Sequence, residues 1–394
     1  MSYSYELRAT VGDINQADWM AVCDLRANPF MDLRFLRAVE NAMGAETKFW
    51  YAIFYDEAQR PVACTCYALY IVDGALFAPP LAQKIVQSVQ KVIRPFFKFK
   101  VLLCGTPVGT GQGNIAFAPD ADLAELTVRL DEIATKLART ERAGFIAFKE
   151  FDKPTIDRLA GLERRGYRIA KSVVKYTLKR EFESFDEYYD SRSKRTRANM
   201  RKFFQKFEEA GLRWEHVRGD AGVEQRYTDA VHELYLAVFR RAELKFELLP
   251  AAFFRELARQ YPEESWFTFI HKDDHPVGFC CALSSPASHD MLYCGIDYDM
   301  NPLGDVYFNL VYRALGNGIA TGAEWINVGQ SADEFKKRLG CFPTQLYTFI
   351  RAVGTVRSYL FNAAFKYLFE GPGAAPETGI AAAGEPVPEE APAV

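Results

Sequence analysis

The chain has 394 residues, 49% hydrophobic, 25% charged and 14% aromatic, which excludes a disordered or collagen-like protein and is long enough for more than one domain. Its 48 Lys and Arg against 51 Asp and Glu leave a formal net charge of −3, so it does not hold nucleic acid by overall basicity. The stretch from Gly371 to Val394 carries four acids and no base, so the rest of the chain is close to neutral and any positive patch is local.

The first residues, interrupted by Glu6, Arg8, Asp13 and Asp18, lack the apolar run of a signal peptide, and no run of 18 apolar residues marks an ordinary membrane span. The eight cysteines are dilute and lie in apolar runs, which reads as reduced thiols packing in cores of a cytoplasmic protein, with no metal. Phe49–Tyr55 and Arg60–Leu69 alternate as a hairpin. From Lys84 to Lys100, Ile85, Val86, Val89, Val92, Ile93 and Phe96 form an apolar stripe with bases largely opposite. That pattern suits a helix on an anionic membrane, or a core-facing helix with a solvated polar face. The glycines at 105, 109, 111 and 113 fit neither a Walker loop nor a dinucleotide fingerprint, and a tight turn beside a strand end is the plainer reading.

A helix from Leu123 to Gly144 then leads into the strand Phe145–Phe148, which ends at Lys149 and Glu150, and a second helix follows around Pro154–Arg165. Ser184 to Ala210 reads as one helical segment, with seven bases and no acid between Arg192 and Lys206. Lys194, Arg197 and Arg201 share a face there, able to hold phosphate or simply to be solvated. His232 and Tyr235 precede Leu244–Leu249, where Lys245 and Glu247 are charged residues in an apolar segment; desolvation would raise the pKa of that carboxylate towards the range of a general base. His275–Leu283 then echoes Arg60–Leu69, and each follows an aromatic strand. The strand Met291–Ile296 ends at Asp297 and Tyr298, a helix from Tyr307 to Gly322 leads into Trp325–Val328, and a second helix runs from Ala332 to Leu339. Tyr359–Phe369 is an apolar helix that could assist membrane contact. The same order of elements thus occurs twice, an α/β layout with a mixed sheet flanked by helices in each of two units, 1–178 and 179–370, before a disordered tail at 371–394.

These pieces resemble the tandem GNAT-fold acyltransferases, in particular the FemAB-like relatives of peptidoglycan biosynthesis or recognition. The residues that carry the resemblance are Asn28-Pro-Phe30 with Phe35-Leu36 and Glu40, Lys149-Glu-Phe151 and Arg195-Thr-Arg-Ala-Asn-Met-Arg201. The second half adds Gly295-Ile-Asp-Tyr298, Asn301-Pro-Leu-Gly304, Gly329-Gln330 and Lys336-Lys-Arg-Leu-Gly-Cys341. The resemblance implies two tandem GNAT-like domains and acyl transfer from a thioester to an amine in the second. An acyl-CoA donor would lie along Tyr293 and Gly295, with its pyrophosphate at the helix start near Gly304 and Asp305, and Arg197 and Arg201 adding charge. Glu247 is the expected base and Asp297 the reserve; Tyr298 would return a proton to the thiolate, and Lys336 would hold a carboxylate or the oxyanion.

The closely spaced glycines of the GNAT phosphate loop are absent, which leaves acyl-CoA and aminoacyl-tRNA both open as donors. The favoured expectation is an acyl-CoA-dependent N-acyltransferase moving a long-chain acyl group to a sphingoid-type lipid amine, as bacterial ceramide synthases do, in peripheral contact with an anionic inner membrane. The alternatives are an aminoacyl-tRNA-dependent transferase acting on peptidoglycan precursors, the one case in which nucleic acid is a partner, and an inactive cell-envelope recognition protein.

Overall fold

The two aromatic hairpins form where their alternation places them: β-branched and aromatic side chains suit a pleated surface buried on both faces, and charged turns separate the strands. The computed structural model describes residues 2–25, 28–73, 98–109, 111–219, 222–242, 247–330 and 333–369. In chain order the strands are β1 Ser4–Arg8, β2 Lys48–Tyr55, β3 Pro61–Asp73, β4 Lys98–Cys104, β5 Ile115–Phe117, β6 Phe145–Phe151 and β7 Arg168–Lys179 in the first half. The second half has β8 Leu212–Arg218, β9 Ser265–Lys272, β10 His275–Ser284, β11 Ser288–Ile296, β12 Trp325–Asn327 and β13 Phe342–Ala352. All belong to one sheet, ordered β1-β2-β3-β4-β6-β13-β7-β12-β11-β10-β9-β8, with β5 added to β3.

That order shows how the halves join. β4 pairs with β6 in parallel, as β11 does with β12. The last strand of each half then crosses over: β13 inserts beside β6, β7 inserts beside β12, and the two pair antiparallel with each other. The two mixed sheets expected from the repeated order are therefore continuous, and the position 178/179 falls at the end of a strand embedded between strands of the other half.

The helices form where caps and apolar spacing dictate. Asp122 accepts from the amides of Ala124 and Glu125 to open Leu123–Thr140. The segment expected as one helix from Ser184 to Ala210 is two, Phe185–Ser191 and Lys194–Glu209. Arg192 takes an extended conformation (φ −81°, ψ 155°) and Ser193 caps the second helix by accepting from the amide of Thr196, so a local cap overrides the continuous polar pattern. The helix expected around Pro154–Arg165 is likewise split, into Lys153–Arg158 and Gly161–Arg164.

On one face of the sheet, helix Leu33–Met43 of the first half packs on helix Ala251–Gln260 of the second. Phe35 and Phe253 are 6.4 Å apart centre to centre, and Arg34 bonds Glu264 at 2.9 Å. A single core runs under both, joining Trp19, Phe35, Tyr51, Phe254 and Phe279. The other face carries Leu123–Thr140 below the first half and Lys194–Glu209 with Val306–Ala320 below the second. Seven of the eight cysteines are buried and all are unpaired. The expected helix of Lys84–Lys100 lies outside the described residues up to Phe97, and Lys98 to Lys100 open β4; the tail 371–394 also lies outside them.

Candidate functional site

β11 and β12 pair over three residues only, Ser288–Asp290 against Trp325–Asn327. Beyond Asp290 they diverge, leaving the edge of β11 from Met291 to Ile296 unpaired with β12. A bulge opposite Cys281/Ala282 leaves Leu292 outside the register and turns it and Tyr293 together towards the core shared by both halves, while Met291 and Cys294 pack on the opposite face. β6 has an irregularity of the same consequence. Between Phe148 and Phe151 the pairing with β13 slips, and Glu150 takes a left-handed backbone conformation (φ 66°). Such a conformation costs a non-glycine residue roughly 1–3 kcal/mol. Here it brings Lys149 and Glu150 to the same place: a Cβ on Gly109 would lie 2.6 Å from Lys149 Nζ and 2.5 Å from Glu150 Oε2.

Glu247 closes this cluster from the second half. Its Oε1 accepts from the Tyr293 hydroxyl at 2.7 Å, and the amide of Gly109 also donates to it. Two phenols pin the backbone that carries it. Tyr235 donates to the Glu247 carbonyl at 3.3 Å and accepts from the amide of Leu249 at 3.1 Å, while Tyr70 of β3 accepts from the amide of Leu248 at 3.4 Å. Desolvation pushes the Glu247 carboxyl up to about 7, against the pull of the Lys149 charge and the Tyr293 hydrogen bond, with Glu150 adding repulsion. Lys149 is held by the Pro107 carbonyl at 3.1 Å and stands 3.6 Å from Glu150, which accepts from the amide of Gly111 at 3.2 Å. The described part of the glycine-rich loop thus donates two amides to carboxylates.

The floor of the diverging strands is polar. Asp290 is buried and accepts from Ser288, Asn327 and Gln112; burial raises its carboxyl above the ordinary range. Lys175 of β7 lies beside it and is pushed down by desolvation. Gln330 Nε2, close to Gly111 and Lys175, is buried without a hydrogen-bond partner among the described residues.

Of the residues expected from sequence, Glu247 and Tyr293 meet directly. Gly295 serves packing: a Cβ there would stand 2.5 Å from the backbone of helix Asp229–Arg241. Asp297 bonds the amides of Asp299 and Met300 at 2.8 and 3.2 Å, capping the turn after β11. Tyr298 lies under the Arg241 guanidinium, 3.8 Å from its ring centre, in the core of the opposite face. Lys336 also lies on that face, 2% exposed, over the Tyr176 ring and bordering the gap near Gly329. Gly304 is buried, and Asp305 (φ 45°) opens helix Val306–Ala320 with its carboxylate 3.2 Å from Lys206. Asn301 already accepts from the amide of Tyr307, so one donor of the first turn of this helix is taken by the chain's own oxygen.

Arg197 is held by Asp190, through its carbonyl at 3.2 Å and its carboxylate at 3.5 Å, and Arg201 is exposed. The Lys194–Glu209 helix reaches the start of Val306–Ala320 through the Phe203 carbonyl, which accepts from Asn309, and through Lys206, which pairs with Asp305. Six residues separate Arg197 from Phe203, roughly 9 Å along the helix axis. Lys149 and Glu150 were marked as charged residues at a strand end, but only the left-handed turn reveals their convergence. Lys175 and Asp290, embedded in strands, gave no sequence signal. Lys245 lies outside the described residues.

Comparisons with known proteins agree with this architecture. A tandem GNAT protein from the clavulanic acid biosynthesis pathway superposes with a TM-score of 0.53 at 11% identity, over 89% of this chain and 99% of that one. FemX gives 0.52 at 10% identity, over 92% and 99%. A conserved protein of unknown function from Bacteroides thetaiotaomicron gives 0.52 at 10% identity, over 89% and 100%. No curated protein sequence matches the chain. The fold is that of tandem GNAT proteins, and the family model described as peptidoglycan biosynthesis/recognition matches residues 10–359, so the chain belongs to the FemAB-like family.

Proposed function

We propose that this chain is a transferase that moves an acyl or aminoacyl group from an activated ester to an amine carried by a cell-envelope precursor. Family and fold support a transferase, and the observation that carries the chemistry is Glu247, a desolvated carboxyl near neutrality, hydrogen-bonded to Tyr293 where the two halves meet. An acceptor amine reaches the site mostly as an ammonium. The Glu247 carboxylate takes its proton, the freed lone pair attacks the donor carbonyl, and the bond to the leaving oxygen or sulfur breaks as the carbonyl reforms, the second proton lost by the attacking nitrogen going to that leaving oxygen or sulfur. Lys149 is the cation beside Glu247 that stabilises negative charge developing on the carbonyl oxygen. The unpaired edge of β11 is the path for the donor, and Gln330 supplies a hydrogen bond near its end.

A coenzyme A thioester acylating a lipid amine is the second reading. It is favoured by the open edge of β11, to which an extended pantetheine arm could pair, and opposed by Asp305 and Asn301 where a pyrophosphate would sit. Mass spectrometry of lipids and of peptidoglycan precursors from cells holding wild-type or Glu247→Gln protein tests both. Loss of a modified muropeptide in the variant supports the first reading, loss of an N-acylated lipid supports the second, and unchanged profiles reject Glu247 as the base.

A further inference from the structure

Glu247 to Pro250 is neither helix nor strand, and Leu248 within it is 50% exposed, so no ladder holds the proposed base beside solvent. Its backbone is fixed by side chains instead, and one hydroxyl does so twice. Tyr235 donates to the Glu247 carbonyl at 3.3 Å and accepts from the Leu249 amide at 3.1 Å, bridging residues two apart on the chain. The same ring stands edge-on to Tyr293, 6.0 Å between centres at 89°, and Tyr293 is the phenol that donates to the Glu247 carboxylate. Tyr235 therefore touches both the backbone of Glu247 and the partner of its carboxyl. A glycine sets where Tyr235 stands. Tyr293 and Gly295 lie two apart on β11, opposite Cys281 and Phe279 of the shared core, so both are on the face that helix Asp229–Arg241 covers. A Cβ on Gly295 would be 2.5 Å from the Tyr235 amide nitrogen and 2.6 Å from the Leu234 carbonyl carbon, so any side chain there lifts the helix at the residue that carries the hydroxyl. His232 and Phe254 pack on the Tyr235 ring, which is 4% exposed.

We propose that Tyr235, seated by Gly295, is the positioning residue of Glu247: its hydroxyl holds the carboxyl in the desolvated place beside Tyr293, Lys149 and the Gly109 amide. The consequence for turnover rests on Glu247 being the base; the consequence for the carboxyl itself does not. The titratable groups that face Glu247 are Lys149 and Glu150 of β6, Tyr293 of β11, Tyr235 of the helix and Tyr70 of β3. Without the Tyr235 hydroxyl the segment relaxes towards solvent, desolvation eases, and the carboxyl falls back towards its ordinary range.

The test is a double-mutant cycle on the full-length protein, read first by calorimetry. Glu247→Gln raises the Tm at alkaline pH by removing a carboxylate that is costly to bury, and in the Tyr235→Phe background that gain should shrink by about half or more. Gly295→Ala, which keeps the hydroxyl but lifts its helix, should shrink it as well. Tyr235→Phe should also lower formation of the product that depends on Glu247 by roughly tenfold or more, and should lower the residual turnover of the Glu247→Gln variant little further. A gain as large in both variant backgrounds as in the wild type overturns the proposal. So does a loss of turnover from Tyr235→Phe that is equally large in the Glu247→Gln background, because the hydroxyl would then act through something other than Glu247. A shrunken gain together with full turnover of Glu247→Gln supports Tyr235 as the clamp and rejects Glu247 as the base.

Discussion

Burial disfavours the charged form of Glu247 more than Lys149 and Tyr293 favour it, so its folded value rises to about 7 from an ordinary value of 4.5. Between those values the native state holds a proton that the unfolded chain has lost. Stability therefore falls as pH rises from about 4.5 to about 7, and the penalty is complete above that. Glu247→Gln keeps the shape without the charge, so its Tm should exceed that of the wild type at pH 8, with the gap closing by pH 4.5 in calorimetry. Its turnover should drop by roughly a hundredfold or more, as the role of general base proposed for Glu247 requires. Tyr293→Phe removes a donor that favours the carboxylate; the rising limb of the pH–rate profile should move roughly 0.5–1 unit upward. A Tyr293 that only fills space would leave that limb in place.

At the scale of elements, the loop from Gly105 to Gly113 matters for its closeness rather than for any bound phosphate. Gly109 has no room for a side chain because Lys149 and Glu150 already occupy the space beyond its Cα. Gly109→Ala should displace both and weaken the amide contact to Glu247, lowering turnover roughly tenfold or more. The loop lies outside the helix and strand cores, so thermal melting should move only a few degrees. An unchanged turnover would show that the Lys149–Glu150 pair is incidental to catalysis. The start of helix Val306–Ala320 makes the opposite point. One of its N-terminal amides, that of Tyr307, is taken by Asn301, and the Asp305 carboxylate stands at the same end, so negative charge that suits a helix dipole is already built in here.

For the whole molecule, the exchange of β7 and β13 binds the halves into one folding unit. β13 lies between β6 and β7, so a chain ending at residue 179 would leave the ladders of both strands open. Expressed alone, 1–179 and 180–394 should each be insoluble or unfolded, whereas co-expression should give a soluble complex purified through a tag on either piece. The intact chain should melt in a single cooperative transition by calorimetry. Two separate transitions, or a soluble, folded fragment 1–179, would contradict the coupling drawn from the sheet.

The repeated order of hairpin, helix, strand and helix was legible in the sequence because each element is set locally, by alternation in strands such as Phe49–Tyr55 and by apolar spacing in helices such as Leu123–Thr140. Glu247 was legible for a related reason: a charge in an apolar run signals desolvation whatever it packs against. The exchange of β7 and β13 was not, since both strands alternate only weakly and their partners lie up to 207 residues away, as Ala352 lies opposite Phe145. Lys149 and Glu150 read only as charged residues at a strand end, and a left-handed residue in a bulge turns both the same way. Arg197 and Arg201 stood out as charges, yet helix packing brings Lys206 to the place expected for them, and Asp190 engages Arg197. Local physical chemistry determined the elements and the unusual carboxyl. Which groups meet across 100 or more residues, as Glu247 meets the amide of Gly109 and as Tyr70 supports Leu248, depends on long-range strand pairing that local pattern does not encode, and that only the tertiary structure decided.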